Sequence, residues 1–410
     1  MANPHLNTGI WPKCHYDCEL TGSTINFPPA LDAHRYGPKI DPLHPVSAVN
    51  VSLTPAPVNL TPIVLVHSNG NVYVLAKTSQ SPAQVTIFML TKDLQPVNPS
   101  AYKQTFNIDS VGYSLIGSDG YIYMAGGKAI YKFEPAYPFN VVNTNIMPQG
   151  GLNFLNILHD GRIIAGNNIG NLYVYERDFV NHPSPIAVCI FGGQHCDNTM
   201  AVDGCNNIFL LTYTNVFALS WDGADFLCLW SYSYATSGTG SGSSPTCTDD
   251  KVIFADRPAA APFNYVSIPR YQLKDCQAPL GVCTRVAALG AGVNPRNSFN
   301  YGSDIAIVLG TDVSQGEVRR FSVSQCSQVW SCPVNNAWPT PLLTPDRVYV
   351  YFRSGTVRYI RSIYLSNGAV EADWRIDSGE DLGSFNFVVK GEESRIYVGT
   401  VSGVAIVKNT

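Results

Sequence analysis

Eight times along this chain a short polar turn, built on Asp-Gly, Asn-Gly or a relative, leads into an apolar run rich in β-branched and aromatic residues. The copies read HSNGNVYVLA (His67 to Ala76), GSDGYIYMAG (Gly117 to Gly126), HDGRIIAG (His159 to Gly166), VDGCNNIFLL (Val202 to Leu211), TDDKVIFAD (Thr248 to Asp256), GSDIAIVLG (Gly302 to Gly310), TPDRVYVYF (Thr344 to Phe352) and GEESRIYVGT (Gly391 to Thr400). They return about every 40 to 55 residues, the length of one supersecondary unit rather than of a domain. Eight such units are what eight small sheets in a ring would produce.

Composition agrees with this reading. Charged residues make up 14% of the 410, against 34 Gly, 28 Pro and 22 Tyr, which suits many short strands joined by turns and not helices. The 26 basic and 30 acidic residues leave a net charge of -4, with no run of either sign. That excludes sequence-independent nucleic-acid binding, which needs a basic patch. No apolar stretch reaches the roughly 20 residues that span a bilayer as a helix.

Each copy carries a second apolar run before its turn and one or two after it. In the second repeat, Tyr113 to Gly117 leads into Asp119-Gly120, then Tyr121 to Ala125, then Ala129 to Glu134. Asp-Gly and Asn-Gly are strong hairpin signals, so each repeat predicts a four-stranded meander. One such sheet cannot bury both faces alone, whereas radial stacking buries each face against a neighbour. Outermost strands end near Trp230, Trp330 and Trp374, where an indole can cover the gap between sheets while its N–H finds a polar partner. The last copy has sequence for only three strands, and Val46 to Leu53 (VSAVNVSL) alternates with a period near two. That segment is predicted to complete the last sheet. The expected fold is therefore all-β, an eight-bladed β-propeller of four-stranded antiparallel blades whose last blade is closed by an N-terminal strand. Residues 1–56 form the arm and closing strand, and residues 57–410 the propeller.

Further residues carry a family likeness. Trp11-Pro12-Lys13-Cys14-His15-Tyr16-Asp17, Thr21-Gly22-Ser23 and Gly37-Pro38 resemble the opening segment of pyrroloquinoline-quinone-like (PQQ-like) repeat propellers. The Asp-Gly-hydrophobic-Tyr-Val turn and terminal Trp resemble that family too. Its quinone-dependent members set two adjacent cysteines against the cofactor, and no Cys-Cys occurs in this sequence. The resemblance thus implies a fold but carries over neither PQQ nor a lipid anchor. No cofactor is assigned, and calcium is left open as a ligand.

Eight of the eleven cysteines fall into close pairs, Cys14 with Cys18, Cys189 with Cys196, Cys276 with Cys283 and Cys326 with Cys332. Read as local disulfides they imply an oxidising compartment. Their spacing lacks the tight pattern of zinc sites, so no metal is assigned. Asn50 and Asn59 open glycosylation sequons. The start, MANPHLNTGIWPK, shows no signal peptide, so an extracellular or secretory protein is expected to be present here as a mature form.

Motifs for catalysis are scarce, with no GxSxG, HExxH, GxxxxGK[ST] or EF-hand pattern. His67 and His159 occupy matching places before their turns, a shared structural slot. Propellers usually meet ligands where loops lead into the innermost strands. Here those positions include Asn153, Asn198, Asn297, Trp338 and Ser384, with Arg296 and Asp381 beside them. The leading expectation is a secreted or cell-surface, non-catalytic propeller that binds a protein or small polar ligand, or assembles into a homo-oligomer or filament. The alternative is a propeller enzyme, a quinoprotein-type oxidoreductase or a cofactor-free lyase or cyclase, with Asp381 as base and Arg296 as electrostatic stabiliser.

Overall fold

A computed structural model describes residues 3–6, 46–58, 62–146, 151–178, 181, 184–191, 194–196, 198–234, 244–248, 250–256, 264–270, 282–286, 294–301, 304–311, 316–337, 341–344, 346–355, 357–376, 388–390, 395–400 and 403–409. Strand β1 (Val46–Ser52) stands apart from its sequence neighbours. The first sheet is β2 (Ile63–Val66), β3 (Val72–Gln80), β4 (Ala83–Leu90) and β5 (Lys103–Phe106), and the second is β6 (Ser114–Ile116), β7 (Ile122–Gly126), β8 (Ala129–Phe133) and β9 (Val141–Ile146). The third comprises β10 (Leu152–Ile157), β11 (Ile163–Asn167), β12 (Asn171–Tyr175) and β13 (Ala187–Ile190). The fourth comprises β14 (Ala201–Val202), β15 (Asn207–Leu211), β16 (Asn215–Trp221) and β17 (Phe226–Ser233). In the fifth are β18 (Thr246–Cys247), β19 (Lys251–Asp256), β20 (Asn264–Pro269) and β21 (Cys283–Val286), and in the sixth β22 (Asn294–Tyr301), β23 (Ile305–Thr311), β24 (Glu317–Ser322) and β25 (Ser327–Pro333). The seventh holds β26 (Leu342–Leu343), β27 (Arg347–Ser354), β28 (Val357–Tyr364) and β29 (Val370–Ile376). The eighth holds β30 (Val388–Lys390), β31 (Ile396–Thr400), β32 (Gly403–Asn409) and, at its edge, β1.

The repeated turn explains why the phrase recurs. In four copies the same hydrogen bonds close a five-residue hairpin loop: His67 N–H donates to Asn71 O, Gly117 to Tyr121, Leu158 to Arg162 and Asp203 to Asn207, at 2.8 to 3.0 Å. The fourth loop residue is left-handed, with φ of 83° at Gly70, 80° at Gly120, 94° at Gly161 and 61° at Asn206. Glycine and asparagine tolerate that region best. The residue at the third position turns its carboxamide or carboxylate back on the chain, as Asn69 Oδ1 accepts from Asn71 N–H at 2.9 Å and Asp160 Oδ1 from Arg162 N–H at 3.0 Å.

Inner strands converge. β2 touches β6, β6 touches β10, β10 touches β14, β18 touches β22, β22 touches β26, and β26 touches β30. A core shared by Phe209, Trp230 and Phe254 joins the fourth sheet to the fifth, and β31 of the last sheet meets β2 of the first. Second strands are covered on both faces, so β7, β11, β15 and β31 are buried at every position. This is why their sequences read as continuous apolar runs rather than alternations. The architecture is that of a β-propeller.

Two side-chain ties repeat across the seams. Tyr73 on β3 donates its hydroxyl to Pro135 O of the second sheet at 2.7 Å, and Tyr397 on β31 donates to Lys92 O of the first at 2.6 Å. The indoles of Trp230 and Trp330 donate to Arg270 O at 3.3 Å and Leu365 O at 3.0 Å in the following sheets. All four carbonyls lie just past the third strand of the next sheet. The gap-covering role expected of Trp230 and Trp330 is what the structure shows. Val46–Ser52 pairs antiparallel with β32 from Val46↔Asn409 to Ser52↔Gly403, as its alternation predicted.

Two cysteine pairs are corrected. Cys189, Cys196 and Cys332 are free thiols, so neither the Cys189/Cys196 nor the Cys326/Cys332 bridge exists. Closeness in sequence misled because strands are extended. Cys326 sits in the β24–β25 turn, while Cys332 pairs with Val318 at the far end of that hairpin. At about 3.3 Å per residue they lie well beyond the reach of a disulfide, roughly 7 Å between Cα atoms. Cys189 pairs with Leu172 and Cys196 N–H donates to Asn168 O, again at separated points of one sheet. Both thiols serve as small apolar groups in the core between the second, third and fourth sheets. Cys14, Cys18 and Cys276 lie outside the described residues, and only the backbone of Cys283 falls within them.

Candidate functional site

The residues expected at the channel mouth are only partly brought into view. Asn153 and Asn297 fall at equivalent places, each the extra residue of a bulge in an inner strand, between Leu152 and Phe154 on β10 and between Arg296 and Ser298 on β22. Bulges re-aim the chain where a strand enters a sheet. Arg296 itself pairs with Leu309. Asn198 is half-buried just before β14. Trp338, Asp381 and Ser384 lie outside the described residues, as does Asn59, while Asn50 pairs with Ala405 on β1.

At the opposite ends of the inner strands, the recurring turns meet the next sheet by a repeated rule. At four seams a residue at the end of that sheet's third strand, or up to three residues past it, packs on the turn. Between the second and third sheets Arg177 pairs with Asp119 at 2.9 Å, and Lys132 and the Tyr123 hydroxyl reach the same carboxylate at 3.2 and 2.6 Å. Burial pushes the Asp119 pKa up, but the Tyr123 hydrogen bond and the Arg177 and Lys132 charges outweigh it, and the net shift is downward. Between the third and fourth, the Trp221 indole donates to Asp160 at 2.9 Å, beside the Arg162–Glu176 pair at 2.8 Å. Between the fourth and fifth Arg270 faces Asp203 at 3.8 Å, and between the last and first Asp93 takes Arg395 at 3.1 Å and Lys408 at 2.7 Å.

The seam between the first and second sheets differs from these four. Asn69 stands where sister repeats place Asp119 and Asp160, and Asn71 where they place Arg162, Arg347 and Arg395. Across the seam the position of Arg177, Trp221 and Arg270 is taken by Pro135 and Ala136. Without charged side chains to fill it, the slot remains an open cavity of about 400 Å³, lined by Asn69, Asn71, Met89, Asn98, Ala101, Pro135, Ala136 and Tyr137. Its base is fixed. His67 bridges the seam through Nε2 to Gly120 O at 3.1 Å while Nδ1 accepts from Asn69 N–H at 2.9 Å. Burial lowers the His67 pKa, outweighing the opposite pull of its hydrogen bond to Gly120 O. His159 does a related job by other atoms, its backbone N–H donating to Asn206 Oδ1 in the next sheet.

A second surface feature lies on the outer rim. On β13, the edge strand of the third sheet, Ala187 and Cys189 pack inward while Val188 and Ile190, with Ile186 just before the strand, alternate outward, 44%, 69% and 39% exposed. No charged residue interrupts Ile186 to Phe191. Sequence reasoning passed over both features. A register of the eight turns would have shown asparagine displacing charge at Asn69 and Asn71, and IAVCIF carries the pattern of an exposed edge.

No family model matches this sequence, and none of the curated proteins is similar to it at a significant level. Among solved structures, the quinohemoprotein alcohol dehydrogenase of Comamonas testosteroni superposes with a TM-score of 0.63 at 11% identity, over 98% of this chain and 81% of that one. Sqt1 of Chaetomium thermophilum gives 0.59 at 13% identity over 83% and 92%, and the Dos1 propeller gives 0.58 at 9% over 92% and 95%. These likenesses show a shared propeller fold.

Proposed function

We propose that this chain is a closed, eight-bladed propeller of the PQQ-like kind that acts as a non-catalytic binding subunit, pairing with a second copy of itself through β13. The contact of β31 with β2 and the Tyr397–Lys92 tie support closure. One observation carries the binding role: an uncharged edge strand that, with Ile186 just before it, exposes three branched aliphatic side chains in alternation. Natural edge strands are usually blunted by charge, proline or a bulge. An antiparallel β13–β13 contact would be isologous, each copy offering the same residues, and a net charge of -4 opposes it only weakly. The proposal includes an extracellular or secretory compartment, which the disulfide bonding of Cys228 and Cys326 supports.

The quinoprotein alternative would need the adjacent cysteine pair that this sequence lacks. Sedimentation equilibrium of the wild type and of Val188→Lys with Ile190→Lys tests the reading. The wild type is expected to dimerise at micromolar concentration and the double variant to remain monomeric with an unchanged melting temperature. A monomeric wild type, or a dimer indifferent to both lysines, removes it.

A further inference from the structure

We propose that the cavity between the first and second sheets is a binding site for a neutral saccharide, independent of the rim strand. The lining decides the chemical class. Apart from the Tyr137 phenol it holds no ionisable side chain, so a charged ligand would meet no counter-charge there. Three carboxamides line the space, side chains that carry both donor and acceptor positions of the kind sugar hydroxyls pair with. Internal bonds consume part of this capacity and orient the rest. Asn69 Oδ1 accepts from Asn71 N–H at 2.9 Å and Asn69 Nδ2 donates to the Tyr73 hydroxyl at 3.3 Å. Asn98 Oδ1 takes the Ser100 N–H at 3.1 Å and hydroxyl at 2.9 Å, and among the described residues its Nδ2 makes no hydrogen bond.

The remaining walls are apolar. Met89, Ala101, Pro135 and Ala136 supply surface without hydrogen-bonding side chains, and Tyr137, 43% exposed, presents an aromatic ring. Tyr137 rests edge-on against Phe139 at 6.1 Å, and Phe139 packs in turn against Tyr73 at 6.4 Å, so the ring stands on a buried base. An aromatic face suits the C–H side of a sugar ring while amides take its hydroxyls. The volume of about 400 Å³ sits near the low end of ligand sites, roughly 300 to 1,000 Å³, and points to one or two sugar units.

Cellotriose, maltotriose and chitotriose are the probes, followed by titration calorimetry and ligand-observed NMR on the full chain. At least one is expected to bind in the millimolar range or tighter. Tyr137→Ala and Asn98→Ala, both at exposed turn positions, should each weaken it by about ten-fold or more. Ala136→Trp, which fills the cavity from an exposed position, should abolish binding while the melting temperature stays that of the wild type. Failure of all three probes overturns the proposal, and so does binding that Ala136→Trp leaves intact. Binding confined to glucuronate oligomers and lost in salt would place the ligand on a charged surface elsewhere and equally overturn it.

Discussion

Replacing Tyr397 by phenylalanine removes one hydroxyl at the seam where the last sheet meets the first, and its effect separates a ring from an open array. The ring of Tyr397 is fully buried and its hydroxyl holds Lys92 O at 2.6 Å. Tyr397→Phe keeps the packing and strands that carbonyl, a loss of about 1 to 3 kcal/mol. Unfolding entropy near 2.1 cal/mol/K per residue over 410 residues converts this to roughly 1 to 4 °C of melting temperature. Tyr73→Phe is the internal control, since Tyr73 makes the same bond to Pro135 O at 2.7 Å inside the array. In a ring every seam is interior, so the two variants should lose global stability to within about 1 kcal/mol of each other. In an open array the terminal seam frays on its own. Tyr397→Phe would then speed hydrogen exchange in β30 to β32 and β1 while leaving the calorimetric transition in place. Urea unfolding, calorimetry and hydrogen exchange on both variants decide between them, and a neutral Tyr397→Phe beside a destabilising Tyr73→Phe would refute closure.

Glu371 and the thiols offer two further tests. The Glu371 side chain is 3% exposed and pairs with Arg347; burial raises its pKa, but hydrogen bonds from Arg347 and Ser362 bring it below the ordinary 4.5. Its folded pKa being depressed, its stabilisation is complete above pH 4.5 and is lost as pH falls through the folded value. Glu371→Gln should therefore cost roughly 3 kcal/mol at neutral pH, a deficit that shrinks in acid, and urea midpoints showing a pH-independent gap would contradict this. Among the described free thiols Cys205 alone is exposed, while burial, with Asp225 nearby, pushes the Cys189 thiol up to about 11. Alkylation followed by mass spectrometry should label Cys205 in the native protein and Cys189, Cys196, Cys247 and Cys332 only after unfolding. Finding Cys189 joined to Cys196 would count against the fold as described.

Features carried by neighbouring residues were open to reading from the chain. The Asn-Gly and Asp-Gly turns, the buried runs of β7 and β31, and the alternation of Val46 to Leu53 each follow from bonds or periodicity within a few residues. From these the sheets and the completion of the last one by an N-terminal strand could be anticipated. The cysteines failed for a related reason, because closeness along the chain becomes distance along an extended strand.

What the sequence by itself determined is the repeated unit, since hairpin geometry and two-sided burial are set by residues close in order. Only the tertiary structure decided which repeat differs in function. The open seam gathers Asn69, Asn98 and Tyr137 from three turns of two sheets, and Pro135 and Ala136 stand there where the next three seams place Arg177, Trp221 and Arg270. A missing side chain across a seam leaves no mark in the local pattern, and the space it creates exists only once the sheets are packed together.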